Sequence, residues 1–343
     1  LLGEAQVNAT GASEGGQILV GGDYRGENPQ VRNASAVYMG EGTQLSADAT
    51  GEGGSGGKVI LWGDDSLKAY GGITATGISD GGFVETSAAV VDLNLSVNVA
   101  ASRGKSGTWL IDPYDIEIKN SIDSENEEAL VYTDNDFPVA DLFAPNGGAE
   151  NVGSSVLTIE ALVVALASGN SVIVETTGSG AQEGDITLVS ELNIDGGGGS
   201  SLAFRAHDDI VIGQRIYDGN TTFAGDSLNL TLISNYDDGG QGGGGNITIA
   251  SGVNITTYGG TFSATGSNFT ANTTTSINTG GGAVSLTPTG AVNLYGNIIT
   301  YGGTFSATGS NFTSLGHINT ASATGGGNVT VNVTGDAAFD ELT

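Results

Sequence analysis

Three pairs of adjacent aspartates stand out in a chain otherwise poor in reactive groups: Asp64-Asp65, Asp208-Asp209 and Asp237-Asp238. Two carboxylates at the correct separation can hydrolyse a glycosidic bond, one as acid and the other as base or nucleophile. The middle pair has basic company, Arg205 and His207, in FRAHDDIVI. A basic proton acceptor beside cation-binding carboxylates is what a polysaccharide lyase requires. The same residues also read as a strand ending in an acidic corner, with a structural contact between His207 and an aspartate. We prefer that reading because other marks of catalysis are missing. The chain has 2 His and no Cys, which excludes disulfides, zinc-thiolate sites and thiol nucleophiles together. His207 and His317 are too few and too far apart in sequence to suggest a metal site. Glycine-rich runs at 196–199 and 242–245 lack the lysine and helix of a phosphate loop. No catalytic, cofactor-binding or metal-binding residue is assigned, and the chain reads as a non-enzyme.

The elements that carry these residues are set out by an internal repeat. The run YGGTFSATGSNFT starts at Tyr258 and again, unchanged, at Tyr301. Within it Phe262 and Ala264 alternate with Thr261, Ser263 and Thr265, the period of a strand with one buried face. Phe269 and Ile277 mark two more short strands. The next round opens at Gly280, where Val284 and Leu286 replace Phe262 and Ala264, and Ile298 follows near the place of Ile277. The repeated 43-residue unit is therefore two rounds of three strands with Gly, Asn and Thr at the corners. A unit this small cannot bury its apolar face alone, whereas a stack of copies can. The expectation is an all-β parallel β-helix (β-solenoid) with three short strands per coil and stacked Phe in the core.

Composition agrees. Glycine is 59 of 343 residues, proline only 5, and hydrophobic content is 38%, too high for plain disorder. The formal net charge is −29, and no Lys or Arg follows Arg215. Nucleic acid and anionic membrane surfaces both need cations, so neither is expected as a partner. No stretch approaches the length of a membrane span, and membrane insertion is not expected. The acidity reads as a solvated surface.

Three regions follow along the chain. Residues 1–118 form a first β-helix segment, with glycine-led strands at GGQILVGGDYRG, GGKVILWGDD, GGFVETS and SGTWLIDPYDIEI. Residues 119–153 are acidic and aperiodic and read as an irregular excursion. Residues 154–343 form a second segment containing the repeat at 258–343. It includes one short helix near 158–168, where Thr158 starts the run, Leu162, Val163 and Leu166 share a face, and Gly169 stops it. Pro113 fixes the turn after a strand.

At this point the chain resembles a known family. ILVGGDYRGENPQVRNASAVYM (18–39), GGKVILWGDD (56–65), GGFVETS (81–87) and GTWLIDPYDIEI (107–118) are similar to the exoproteins of bacterial two-partner secretion. These are the filamentous haemagglutinin and high-molecular-weight adhesin family. LTIEALVVALASGNSVIVETTGSGAQEGDITL (157–188) and FRAHDDIVI (204–212) extend the likeness over roughly residues 15–250. The segment looks like the part just downstream of the family's N-terminal secretion domain. The resemblance implies a right-handed β-helix, export through an outer-membrane pore partner, and a fate secreted or on the outer-membrane surface.

The expected function is an adhesin-like structural rod acting in cell adhesion or biofilm. Its partners would be glycans or proteins of host or neighbouring cells. The alternative is a self-assembling extracellular filament or matrix protein, with like chains as partners; a glycan-active β-helix enzyme ranks below both. Two further features remain. Trp62 and Trp109 invite a sugar-stacking role but lie in strands, where large rings cover a stack. Asn-x-Ser/Thr sequons recur, and Asn246, Asn254, Asn268, Asn311 and Asn328 are candidate glycosylation acceptors. A Thr- and Asn-rich coil also generates such triplets by composition alone.

Overall fold

The computed structural model describes residues 1–120, 155–178, 182–194, 199–217, 227–237 and 244–340. They form a parallel β-helix whose contacts divide into two compact units, Leu1–Ala165 and Leu166–Thr343. The excursion expected at 119–153 falls, apart from its first two residues, outside the described residues.

In the first unit the glycine-led strands stack in the register their spacing predicts. Ile18, Val59, Val84 and Trp109 form one column, and Val20, Leu61, Thr86 and Ile111 the next. The columns are close-packed because Gly-Gly pairs precede the first three strands and Ser106-Gly107 the fourth. A Cβ on Gly81 would run into the Val99 carbonyl and the Gly107 nitrogen, so only glycine lets the coils approach there. Two of the expected short strands are fused in this unit. Lys58–Ala69 and Phe83–Leu93 each continue across a corner, with a register shift between Gly63 and Ser66. A bulge of this kind bends a strand without ending it.

One strand of the first unit stacks out of chain order. Ser155–Thr158 pairs on one side with Asp92 and Leu93 and on the other with Ile116–Lys119. The later segment thus lies between two earlier ones. The helix α1 (Ile159–Ala167) follows directly. Thr158 Oγ1 accepts from the Ala161 N–H at 3.2 Å, the N-cap bond its position predicts. Ala161, Leu162, Ala165 and Leu166 are buried, and Gly169 ends the turn with φ of 77°.

In the second unit three separate strands per coil recur, each ladder parallel. Phe262, Val284, Phe305 and Val329 form one column, and Ala264, Leu286, Ala307 and Val331 run beside it. Phe269, Val292, Phe312 and Ala337 form the second face, and Ile255, Ile277, Ile298 and Ile318 the third. This explains the two-coil period. On the first two faces a coil with Phe and Ala alternates with one carrying Val and Leu, so a large side chain there meets a smaller one above and below, while the third face stacks Ile on Ile. Within a coil the rings meet edge to face, Phe262 against Phe269 at 6.1 Å and Phe305 against Phe312 at 6.3 Å. Each such buried side chain contributes about 1.5–3 kcal/mol.

Candidate functional site

The first two of the aspartate pairs considered from sequence serve corners. Asp209 Oδ1 accepts from the Asn246 backbone N–H at 2.6 Å, while its own N–H donates to Asp185 Oδ1 at 2.9 Å. The ladder continues upward. Asn268 Nδ2 donates to Asn246 Oδ1 at 2.7 Å, Asn268 Oδ1 accepts from the Ala291 N–H, and Asn311 Oδ1 accepts from the Asp336 N–H. Acidic or amide side chains on most rungs thus satisfy the backbone entering the second strand or bond to one another, and Ala291 interrupts the series. His207 Nδ1 lies 2.9 Å from the Glu183 carbonyl oxygen, and Arg205 pairs with the buried Glu175 at 3.3 Å. Burial first, then the negative charges of Asp209 and Glu183, push the Asp208 carboxyl above its ordinary range. Asp64 accepts from the Trp62 indole and from Asn33. Asp238 lies outside the described residues, and no cluster of three metal-ligating side chains occurs among those described.

The sequons divide along the same line. Asn246, Asn268 and Asn311 are ladder rungs, the first two half-buried and Asn311 exposed, whereas Asn254 and Asn328 are exposed and outside the ladder. Both tryptophans cover structure. Trp109 is fully buried, and its indole donates to Thr86 Oγ1 at 3.0 Å. Trp62 lies close under Gly22 and Gly26.

Two local arrangements were not anticipated. In the first unit, residues 21–34 fold over the outer face of the first strand ladder and bury charge there. Glu85 is completely buried and accepts from the Arg25 N–H with both oxygens, at 3.1 and 3.3 Å. Arg25 reaches Asp112 at 3.8 Å and holds φ at 53°. Burial, set against the Arg25 N–H bond, raises the Glu85 carboxyl to about 7. Beside it Asp23 takes hydrogen bonds from Asn28, Lys58 and the Tyr24 N–H, which lower it to about 2. Nearby, an open groove of about 1070 Å³ follows the Gly-Gly corner, with Glu14, Lys58, Asp80, Phe83 and Lys105 in its walls.

The second arrangement is a four-residue corner of the second unit, Thr-x-Gly-Gly. Thr257, Thr279 and Thr300 are buried, and each hydroxyl donates to the carbonyl of the glycine three residues on, at 2.6–2.7 Å. The x residue is left-handed every time: Tyr258 at φ 48°, Gly280 at 61° and Tyr301 at 48°. Glycine takes this conformation freely, whereas tyrosine is held there at a cost of about 1 kcal/mol. Tyr301 is 54% exposed. The surface around it is uncharged, since no Asp, Glu, Lys or Arg occurs between Asp238 and Asp336. The copied YGG was a visible signal for this corner; the inward threonine was hidden among many.

A scan against protein-family models and a search of curated proteins return no match to this chain. No helix of the described residues is long and apolar enough to cross a membrane.

Proposed function

We propose that this chain is a β-helical segment of a secreted or surface-displayed, adhesin-like exoprotein, exported by two-partner secretion. Its role is mechanical. It spaces and presents binding surfaces, and no chemical step is assigned to it. The observation that carries the reading is where the polar side chains go. The Asp and Asn rungs, the corner threonines and His207 are committed to backbone or to neighbouring coils. Such commitment favours a scaffold over a reaction centre. The likeness of residues 15–250 to two-partner secretion exoproteins supplies the export route and the surface location.

Electron microscopy of producing cells, labelled with an antibody against this chain, tests the reading. Label on single thin rods attached at the cell surface is the expected result. Label at a regular interval along long fibres would make assembly the function instead. Label confined inside cells that hold a working outer-membrane pore would overturn both.

A further inference from the structure

We propose that the Thr-x-Gly-Gly corner of the second unit is a binding ladder for a neutral, extended polysaccharide, with Tyr258 and Tyr301 stacking on sugar faces. The inference deepens the surface-display reading and rests on it for its biological setting. Registry fixes the spacing. Thr256 pairs with Asn278 and Asn278 with Ile299, so Tyr258, Gly280 and Tyr301 occupy one corner position in three successive coils. The two rings are therefore mounted two coils apart, about 9.6 Å at the usual inter-strand spacing, the scale of one disaccharide repeat. Between them stand Gly280 and Gly281, which carry no side chain. A Cβ added at Gly281 would meet nothing, so the gap is open.

The chemistry around the gap suits sugar. Tyrosine offers a large, rigid, amphipathic face at small entropic cost. Asn278 Oδ1 accepts from the Gly280 N–H at 3.0 Å, and Asn319 Oδ1 from the Ala321 N–H at 2.9 Å. Their amide nitrogens have no hydrogen-bond partner among the described residues and are free to donate to sugar hydroxyls. The absence of charge from Asp238 to Asp336 argues against acidic polysaccharides, which need cations. Backbone strain supplies a further argument. The corner accepts glycine at Gly280, yet tyrosine occupies the same left-handed position on either side of it. Strain kept at a position where relief is available points to a use for the side chain.

The test uses the full 343-residue chain, with amorphous cellulose and chitin as retention probes and cellohexaose for titration. We expect retention on at least one of the two solids. A variant with both Tyr258→Gly and Tyr301→Gly should bind at least about tenfold more weakly, as when stacking anchors are removed from an interface. The Tyr→Phe pair should keep most of the binding. The Gly pair should melt at the same temperature as the parent or higher, because glycine relaxes the corner. Three outcomes overturn the proposal: no retention of the parent on either solid, full retention of the Gly pair, or a melting temperature that falls in step with binding. If displayed parent and Gly-pair proteins attach cells equally well, the surface-display reading stands and this inference falls. If the purified parent binds but is never exported, the reverse holds.

Discussion

The two units use one fold in opposite electrostatic styles. The first covers the outer face of its strands with residues 21–34, buries Glu85 and Asp112 against Arg25 there, and buries Asp92 against Tyr70. The second, between Asp238 and Asp336, does without Asp, Glu, Lys and Arg altogether. In those coils the polar groups are chiefly hydroxyls and amides. Burying a carboxylate is expensive unless it is paired or protonated, whereas a buried hydroxyl needs a single acceptor. The first unit is therefore sensitive to pH and the coils beyond Asp238 to side-chain volume.

Volume gives the largest expected effect. Phe269 is completely buried between Ile247 and Val292 in its column. Phe269→Ala should lower stability by about 3–5 kcal/mol. Because each coil contacts only its neighbours, the loss should be local. Hydrogen exchange should show coils near 247–294 opening while the strands of 17–112 keep their protection. Equal loss of protection in both units would break the comparison, since it would make them one cooperative body.

Charge gives the next. The Glu85 carboxyl is raised from 4.5 to about 7, so the folded chain binds its proton more tightly than the unfolded chain. The sign follows: the stabilisation is complete below pH 4.5, is lost as pH rises through about 7, and changes no further above that. Over this window the first unit should lose about 3 kcal/mol. Glu85→Gln should flatten the slope and raise stability at pH 8. Urea midpoints between pH 4.5 and 8 check it, and hydrogen exchange in the coils between Asp238 and Asp336, which hold no carboxylate, should show no matching slope. Asp23, lowered to about 2, acts in a separate acid window and with the opposite sign.

These differences were unequally legible. The second unit could be read almost residue by residue, because its period lies in the chain order. Val284 and Leu286 do stand over Phe262 and Ala264. Gly15, Gly56 and Gly81 likewise announced the first strand ladder. What escaped was decided by long-range pairing. Nothing in the four residues SVLT at 155–158 says that they slot between 90–93 and 116–119. Nor does DYRGENPQVRN, read alone, show that it closes over Glu85 across 60 residues. The aspartate pairs were legible as corners but not as a ladder, because Asp209 meets Asn246 only once 218–243 has been spanned.

A smaller effect sharpens the corner chemistry. Thr300 is buried and donates to the Gly303 carbonyl at 2.6 Å. Thr300→Val keeps the shape and deletes the donor, which should cost about 1–2 kcal/mol by leaving that acceptor without its hydroxyl. Thr300→Ser should recover most of it. Denaturant midpoints of the two variants provide the check, and a loss in the Ser variant with none in the Val variant would show that the methyl group matters and the hydroxyl does not.

The smallest effect lies on the surface. Arg215 and Glu191 approach to 2.8 Å, and both side chains are 48% exposed. The guanidinium also lies over the Tyr217 ring at 4.0 Å. Water and salt screen an exposed pair, and holding two long side chains together offsets most of the attraction. Arg215→Gln should therefore leave the denaturant midpoint unchanged at physiological salt. A loss as large as that of Thr300→Val would mean that a single exterior cation matters to an otherwise acidic chain. Charge would then stabilise the second unit as well, and the contrast between the units would reduce to where each one hides it.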